Sequence, residues 1–207
     1  MLKENQLYLG DSADLLEEIP DHSVDLIVTD PPYIKTEWVK AYAILATHAP
    51  RILKPSGWLI CYSGHFSLNH IMRMFDDCGL KYYWTIAQLN EGQTAMVHAR
   101  RVFAKWKPIL VYQAEPFHIN DQTFYDCLHS QREKAEHEWQ QSTGDLEQII
   151  PRFSHPGELL VEPFLGSGTT ITVAKRYGLR YIGCEIDPKT YQVAVCRQIR
   201  ESLFSEF

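Results

Sequence analysis

VDLIVTDPPY, residues 24–33, is the most informative stretch of the chain, because an apolar run ends abruptly in Asp30-Pro31-Pro32-Tyr33. A short run that is apolar on both faces is typical of a strand buried between two layers of helices. Open parallel sheets bind ligands at the carboxyl ends of their strands, which is where this turn would lie. The stretch therefore predicts an α/β protein with a functional site directly after the strand.

The same alternation of short apolar runs with amphipathic stretches continues in both directions and predicts a mostly parallel sheet with helices on both faces. Seven strands are predicted, at Gln6–Gly10, Val24–Thr29, Trp58–Ser63, Tyr82–Leu89, Pro108–Tyr112, Leu159–Glu162 and Tyr181–Glu185. The predicted helices are Ala13–Glu18, Glu37–Leu53, Leu68–Cys78, Thr169–Tyr177 and Lys189–Ser202. Turn residues such as Pro55-Ser56-Gly57 are expected to separate these elements.

A chain of 207 residues suits one domain, which we expect to span 1–207. Two segments interrupt the alternation and are predicted to be insertions. Residues 90–107 are longer than a hairpin needs, and residues 113–145 are rich in Gln, His and Glu with few apolar residues in register. Because loops carry much of the function in such folds, we expect both segments to contact the substrate.

Charge and composition limit the classes of function. The net charge of −6 argues against binding nucleic acid by general attraction to phosphates, so any such contact must be local. The densest basic cluster is the candidate, although a solvated loop flank explains it as well: Arg100, Arg101, Lys105 and Lys107. With no membrane-length apolar run and no secretory signal pattern at the N-terminus, a cytoplasmic protein is expected.

No metal site is expected, because neither the nine histidines nor the five cysteines have convincing ligand spacing. The cysteines are predicted to be reduced and to behave as small buried hydrophobic residues: Cys61, Cys78, Cys127, Cys184 and Cys196.

The Asp30–Tyr33 turn has the groups that an exocyclic amine on a nucleic-acid base requires. The Asp30 carboxylate and the Pro31 carbonyl can each accept one N–H, while Pro31 and Pro32 hold the backbone rigid. Tyr33 can stack on a base that has left the duplex. The alternative is that Asp-Pro-Pro only initiates a turn.

A second candidate site follows the predicted strand LLVE, where PFLGSGTT, residues 163–170, leads into a helix. Gly166 and Gly168 allow a ligand to approach the backbone closely, and Ser167, Thr169 and Thr170 can cap the helix. Glu185 ends the next strand about 20 positions later, at the distance expected for a carboxylate that binds ribose hydroxyls. The ligand is therefore predicted to be a nucleoside.

NAD is one candidate, but its G-x-G-x-x-G pattern lacks the third glycine here, where Ile171 stands. S-adenosylmethionine, which has no phosphates, fits better. Glu162 can accept from its ammonium, directly or through water, and Asp11 from its adenine amino group. For Asp11 a plain helix N-cap is the alternative.

Together, LGDSADLL, TDPPY, EPFLGSGTT and GCEID resemble the beta class of bacterial and phage DNA amino-methyltransferases, in which the DPPY motif precedes the glycine motif. The resemblance covers most of the chain outside the two insertions. It implies a circularly permuted class I methyltransferase fold with a seven-stranded sheet. It also implies S-adenosylmethionine as cofactor, S-adenosylhomocysteine as product, double-stranded DNA as partner and no metal.

Carried over residue by residue, the resemblance makes Asp30, Pro31, Pro32 and Tyr33 the catalytic motif. It implies a cofactor site of Asp11, Glu162, Phe164, Gly166, Gly168, Thr169, Thr170 and Glu185. The chain departs from the family at His137–Ser142, where many members have a stretch with His-Pro and Lys-Pro, and its insertion is short for target recognition.

Adenine N6 is the favoured target, since an aspartate in this motif is usual for adenine in the family. The alternatives are cytosine N4, RNA, a glutamine side-chain amide, and a catalytically silent nucleic-acid-binding module. Both monomer and homodimer remain open.

Overall fold

Strands and helices alternate along the computed structural model, which describes residues 2–33, 37–90, 95–130 and 143–204. The described strands are β1 (Gln6–Leu9), β2 (Val24–Thr29), β3 (Leu53–Tyr62), β4 (Lys81–Asn90), β5 (Ala95–Val97), β6 (Val102–Ala104), β7 (Trp106–Gln113), β8 (Cys127–Ser130), β9 (Leu159–Glu162) and β10 (Arg180–Glu185). The described α-helices are α1 (Ser12–Glu18), α2 (Glu37–Ile52), α3 (Leu68–Asp77), α4 (Thr143–Ile149), α5 (Thr169–Arg176) and α6 (Pro188–Phe204). Every predicted strand and helix is confirmed.

The central sheet contains eight of the described strands in the order β1-β10-β9-β2-β3-β7-β4-β8. Neighbouring strands are parallel except where β7 pairs with β3 and β4. The mostly parallel sheet is confirmed, but the predicted count of seven strands is wrong. The extra strand, β8, lies at the sheet edge beside β4, in the polar segment predicted as an insertion. Its four residues include one buried apolar side chain, Leu128, which is too short a pattern to recognise as a strand.

Each face of the sheet carries its own apolar core. Alternate residues of β2 point to opposite faces, so that Ile27 packs with Tyr42 and Phe75 of α2 and α3. Leu26 and Val28 pack on the other face with side chains of α4, α5 and α6. This double burial explains why the strand is apolar at successive positions rather than at every second one.

The start of β3 differs from the sequence prediction. Pro55-Ser56-Gly57 was expected to form a turn before a strand at Trp58, yet β3 begins at Leu53 and continues through it. An irregularity in the pairing with β2 absorbs these residues, with Val24 opposite Leu53 and Leu26 opposite Trp58. Ser56 adopts a positive φ of 63° there. Pro55-Ser56-Gly57 therefore do change the direction of the backbone, as predicted, but they form a bulge within β3 and not a turn before it.

The segment between β4 and β7 contains a separate two-stranded antiparallel sheet of β5 and β6. Whether residues 90–107 and 113–145 are insertions in an otherwise single domain stays a prediction. Within the described ranges, no helix combines the length and apolar character that crossing a membrane requires. The expectation of buried cysteines holds for Cys61 and Cys184, whereas Cys127 and Cys196 are exposed. The exposed pair belong to the edge strand β8 and to helix α6.

Candidate active site

The carboxyl ends of five parallel strands meet at one edge of the sheet. In sheet order, β1 ends before Asp11, β10 at Glu185, β9 at Glu162 and β2 before Asp30, and β3 ends at Tyr62. Four of these five residues were predicted site residues. The fold thus brings together two motifs that lie more than 130 positions apart in the chain, as the bond between Thr29 and Glu162 shows.

Asp30 and Tyr33 form the first part of the site. Strand β2 ends at Thr29, after which Pro31 and Pro32 cannot donate to a neighbouring strand. The Tyr33 hydroxyl donates to Asp30 Oδ1, and the Asp30 side chain is 21% exposed. The Tyr33 ring is 39% exposed, so one aromatic surface stays accessible next to the carboxylate. The arrangement offers hydrogen-bond acceptors beside a ring on which a flat ligand can stack.

Lys107, which the sequence groups with Arg100, Arg101 and Lys105 as a candidate DNA contact, also lies in this part of the site. Its Nζ lies 2.7 Å from Asp30 Oδ2 and 2.9 Å from Asp30 Oδ1. The same ammonium lies 4.6 Å from the ring centroid of Tyr33 and 4.8 Å from that of Tyr62. Charge spacing along the sequence could not separate Lys107 from its neighbours. Its place in β7, beside β3, directs it towards Asp30.

Glu162 is the most perturbed carboxyl group of the site. It is 2% exposed, and its Oε1 accepts from Thr29 Oγ1 at 2.5 Å and from the backbone N–H of Phe164 at 3.1 Å. Burial raises the pKa of Glu162 to about 8, because removal from water disfavours the charged form more than these bonds favour it. A bound cation would reverse this balance. The residue therefore suits a ligand that has a positive charge, such as an ammonium group.

Gly166 and Gly168, the two glycines of the turn after β9, have different surroundings. Gly166 has a φ of 55°, and a Cβ built on it meets no atom within 4 Å, so the space over this residue is open to a ligand. Gly168 has a φ of 80°, and a Cβ there would lie 3.1 Å from that of Ala194 in α6. Both were predicted cofactor residues, but the geometry makes Gly168 the position where α6 packs against the start of α5.

Glu185 ties the glycine turn to β10. Its Oε2 accepts from the Gly166 N–H at 2.8 Å, and its Oε1 accepts from the Asp187 N–H at 2.9 Å. The carboxylate is thereby oriented, and its remaining lone pairs can accept from hydroxyl groups. Thr169 and Thr170 are buried at the start of α5, and Thr170 hydrogen-bonds to Glu162. The predicted cofactor residues after β9 and β10 thus form one connected group.

Asp11 is the N-cap of α1, as the alternative interpretation proposed. Its Oδ1 accepts from the Ala13 N–H at 2.9 Å, and its Oδ2 lies 3.1 Å from Lys40 Nζ. The bond from the Ala13 N–H, together with Lys40, lowers the pKa of Asp11. Its predicted contact with a ligand adenine stays a prediction.

The other three basic residues lie on or beside the small sheet of β5 and β6, and all are exposed. Arg100 and Arg101 belong to the turn between the two strands, and Lys105 links β6 to β7. The Arg100 guanidinium lies 5.4 Å from the centroid of the Phe66 ring, which is 64% exposed. Phe66 follows Gly64, whose position adjoins the Tyr33 ring. The segment from Gly64 to Phe66 therefore links the basic hairpin to the Asp30–Tyr33 turn.

Sequence reasoning missed three further residues that the fold brings to this edge. Thr29 bonds to Glu162, Tyr62 stacks its ring under the Lys107 ammonium, and Arg197 of α6 lies 2.5 Å from Thr169 Oγ1. The polar Thr29 in an otherwise apolar strand was a usable signal. Nothing in the sequence marked Tyr62 or Arg197 as a residue of the site. The departure at His137–Ser142 lies outside the described residues. Among those that are described, no group of three or more His, Cys, Asp or Glu side chains could hold a metal ion.

Comparison with known proteins finds similarity to DNA methylases. Residues 118–195 match the family model described as DNA methylase, of the N6/N4 type. The type II methyltransferase M.BglII of Bacillus subtilis is 26% identical over 92% of this chain and 68% of its own length.

Two solved structures have the same fold. A complex of M1.HpyAVI with S-adenosylmethionine superposes with a TM-score of 0.76 at 23% identity, over 93% of this chain and 98% of that one. The PvuII DNA methyltransferase, which is cytosine-N4-specific, gives a TM-score of 0.80 at 20% identity, over 95% and 87% of the two chains. The chain is therefore similar to type II methyltransferases over most of its length, and its residues 118–195 match the N6/N4 DNA methylase family model.

Proposed function

We propose that this protein transfers a methyl group from S-adenosylmethionine to an exocyclic amino group of a base in double-stranded DNA, with adenine N6 as the target. One observation carries the proposal. The Thr29 hydroxyl, one residue before Asp30, bonds to Glu162, so that the turn proposed to bind the amine and the buried carboxyl group proposed to bind the cofactor ammonium share one sheet edge. DNA methyltransferase homology agrees with this arrangement.

The residues at β1, β10 and β9 fit S-adenosylmethionine. The open space over Gly166 admits a ligand, and the raised pKa of Glu162 favours a partner with an ammonium group. Glu185 would accept from the ribose hydroxyls, and Asp11 from the adenine amino group. We assign Phe164, Thr169, Thr170 and Gly168 to the same pocket as residues that shape it. When bound, S-adenosylmethionine supplies a methyl group on a positively charged sulfur and leaves as S-adenosylhomocysteine.

Asp30, Pro31, Pro32 and Tyr33 would present the target amine. An amine on a base is a poor nucleophile because its lone pair is delocalised into the ring. Acceptance of one N–H by Asp30 and the other by the Pro31 carbonyl favours the pyramidal nitrogen. The Asp30 carboxylate would also stabilise the positive charge that develops on the methylated nitrogen, until that nitrogen releases one proton to solvent, directly or through Asp30. The exposed Tyr33 ring would hold the base by stacking.

The basic hairpin would contact the DNA. Arg100, Arg101 and Lys105 are exposed beside the small sheet of β5 and β6, which is linked to the Asp30–Tyr33 turn through Phe66 and Gly64. Such contacts would position the duplex through its phosphates without reading its sequence. We propose target recognition in residues 113–145 and in this hairpin. The subtype we propose is the permuted beta class, because the Asp-Pro-Pro-Tyr motif precedes the glycine motif in the chain.

Cytosine N4 is the second candidate target. The likeness to the PvuII enzyme, whose target is cytosine N4, favours it, whereas Asp30 favours adenine by the tendency of the family. Both amines are exocyclic and need the same acceptors, so the acceptor geometry alone suits either one.

Methyl transfer tests the proposal directly. Purified protein and S-adenosylmethionine with a labelled methyl group are incubated with unmodified genomic DNA, which is then digested to nucleosides. Label in N6-methyladenine supports the first candidate, and label in N4-methylcytosine supports the second. The control is Asp30→Asn, which keeps the shape of the side chain but removes its charge. Absence of label in DNA with the wild-type protein would contradict the proposed function.

A further inference from the structure

The Lys107 ammonium lies at the position where the proposed reaction needs the amino nitrogen of the target base. Its ammonium contacts both oxygens of Asp30, at 2.7 and 2.9 Å, and lies over the rings of Tyr33 and Tyr62. The side chains of Lys107 and Asp30 are only 26% and 21% exposed, so solvent screens the pair incompletely. This lysine is therefore not placed like the exposed residues Arg100, Arg101 and Lys105.

The surroundings of Nζ define what this position binds. One carboxylate and two aromatic faces attract a nitrogen that has hydrogens to donate and a positive charge. A target amine has the same hydrogens and gains positive charge as it is methylated. The Asp30 carboxylate and the two tyrosine rings that contact Lys107 are thus the groups that would stabilise the target amine as it gains positive charge.

We infer that the Lys107 ammonium occupies the target-amine position in the DNA-free protein and must leave before a base can enter. The inference rests on the proposed function. It makes Lys107 a positioning residue that acts through Asp30 and Tyr33, in place of the phosphate contact expected from the sequence. The flexible stem of lysine allows the ammonium to withdraw while its backbone stays in β7.

Occupation by an ammonium gives a simple means of selection. A base that enters must replace the contacts that Asp30 loses when Lys107 leaves, and an exocyclic amine can do so with two N–H donors on one nitrogen. Thymine, which has only its ring N3–H to donate and no exocyclic amine, would leave part of these contacts unreplaced in a partly buried site. Lys107 thereby opposes entry of the wrong base more than entry of the right one.

The test measures base extrusion with the full-length protein, the cofactor product and a short duplex that contains the mapped target. The base next to the target is replaced by 2-aminopurine, whose fluorescence rises when its neighbour leaves the stack. Lys107→Met removes the charge but keeps an apolar stem. Lys81→Met is the matched control, because the Lys81 ammonium also pairs with a carboxylate, that of Glu115, but on the exposed surface at the opposite end of the β4–β7 pair. We expect the extruded fraction to rise about threefold or more in Lys107→Met and to stay unchanged in Lys81→Met.

A second duplex, in which the target base lacks its exocyclic amino group, tests the selection. Lys107→Met should extrude it more readily than the wild-type protein does. Lys107→Gln, which still donates to Asp30, replaces the methionine variant if that variant fails to fold. An unchanged or lower extruded fraction, or a salt slope of DNA binding reduced by about one as for a phosphate contact, overturns the inference. Lack of methyl transfer by the wild-type protein would instead refute the proposed function, and this inference with it.

Discussion

Replacement of Glu162 by glutamine should stabilise the protein in the absence of cofactor. Glutamine keeps the oxygen that accepts from Thr29 and from the Phe164 N–H, and it imitates the protonated carboxyl group. The folded-state pKa of Glu162 is raised from 4.5 to about 8 by burial. Its favourable contribution is complete below the unfolded pKa and is lost as the pH rises towards the folded one. At pH 7 the loss is about 3 kcal/mol, from about 1.4 kcal/mol per pH unit.

Urea unfolding of both proteins from about pH 5 to pH 8.5 measures this effect. The free energy of unfolding of Glu162→Gln should exceed that of the wild type by an amount that grows with pH and levels off above about pH 8. Asp11→Asn is a control of opposite sign, because the Ala13 N–H bond lowers the pKa of Asp11. Its stabilising charge is present at neutral pH and lost in acid. An advantage of Glu162→Gln that does not change with pH would refute the reasoning.

Three further predictions concern the site. Asp30→Ala should slow single-turnover methyl transfer by about 100-fold or more while cofactor affinity stays near wild type, and Tyr33→Phe should keep much of the activity because the ring remains. Wild-type rates in Asp30→Ala would contradict the catalytic assignment. Gly168→Ala should lower the melting temperature more than Gly166→Ala, because the Cβ at position 168 would meet α6 at 3.1 Å. For cofactor affinity the order should reverse: calorimetry should find a greater loss in Gly166→Val than in Gly168→Ala, because the valine side chain fills the open space over residue 166. Equal losses of affinity in Gly166→Val and Gly168→Ala would argue against the open space as the ligand site. Neutral variants at the exposed basic positions Arg100, Arg101 and Lys105 should each reduce the salt slope of DNA binding by about one. Binding titrations at several salt concentrations measure this slope.

The sequence predicted the sheet well because β2, β9 and β10 are apolar over successive residues and are bounded by Pro, Gly and charged side chains. It failed at β8, where Leu128 is buried between the exposed Cys127 and His129 in a strand too short to show a periodicity, and at the start of β3, where a turn signal serves as a bulge. In both places the deciding interaction is pairing with a distant strand, which local patterns do not contain.

In the candidate site, too, residues marked by a local pattern could be predicted, and contacts between distant positions could not. Asp30, Glu162 and Glu185 could be placed because each follows or ends a buried strand. The contact between Lys107 and Asp30 joins positions 77 apart, and nothing in the basic cluster distinguished this lysine from Lys105. The roles of Gly166 and Gly168 also looked alike in sequence, since only the packing of Ala194 against one of them separates the two.

The pairing of β1 with β10 has a consequence for how the protein is made. Among the described strands, β1 pairs with β10 alone, and the bond from the Tyr181 N–H to Asn5 Oδ1 spans 176 positions. During synthesis, β2, β3, β4 and β7 can pair as soon as they emerge, whereas β1 has no strand to join until β10 has left the ribosome. We expect the half of the sheet that carries Asp30 to assemble first. The pocket beside Glu185 then forms as the final event of folding, so a chain truncated before β10 would keep the turn proposed to bind the amine and lack the pocket proposed for the methyl donor.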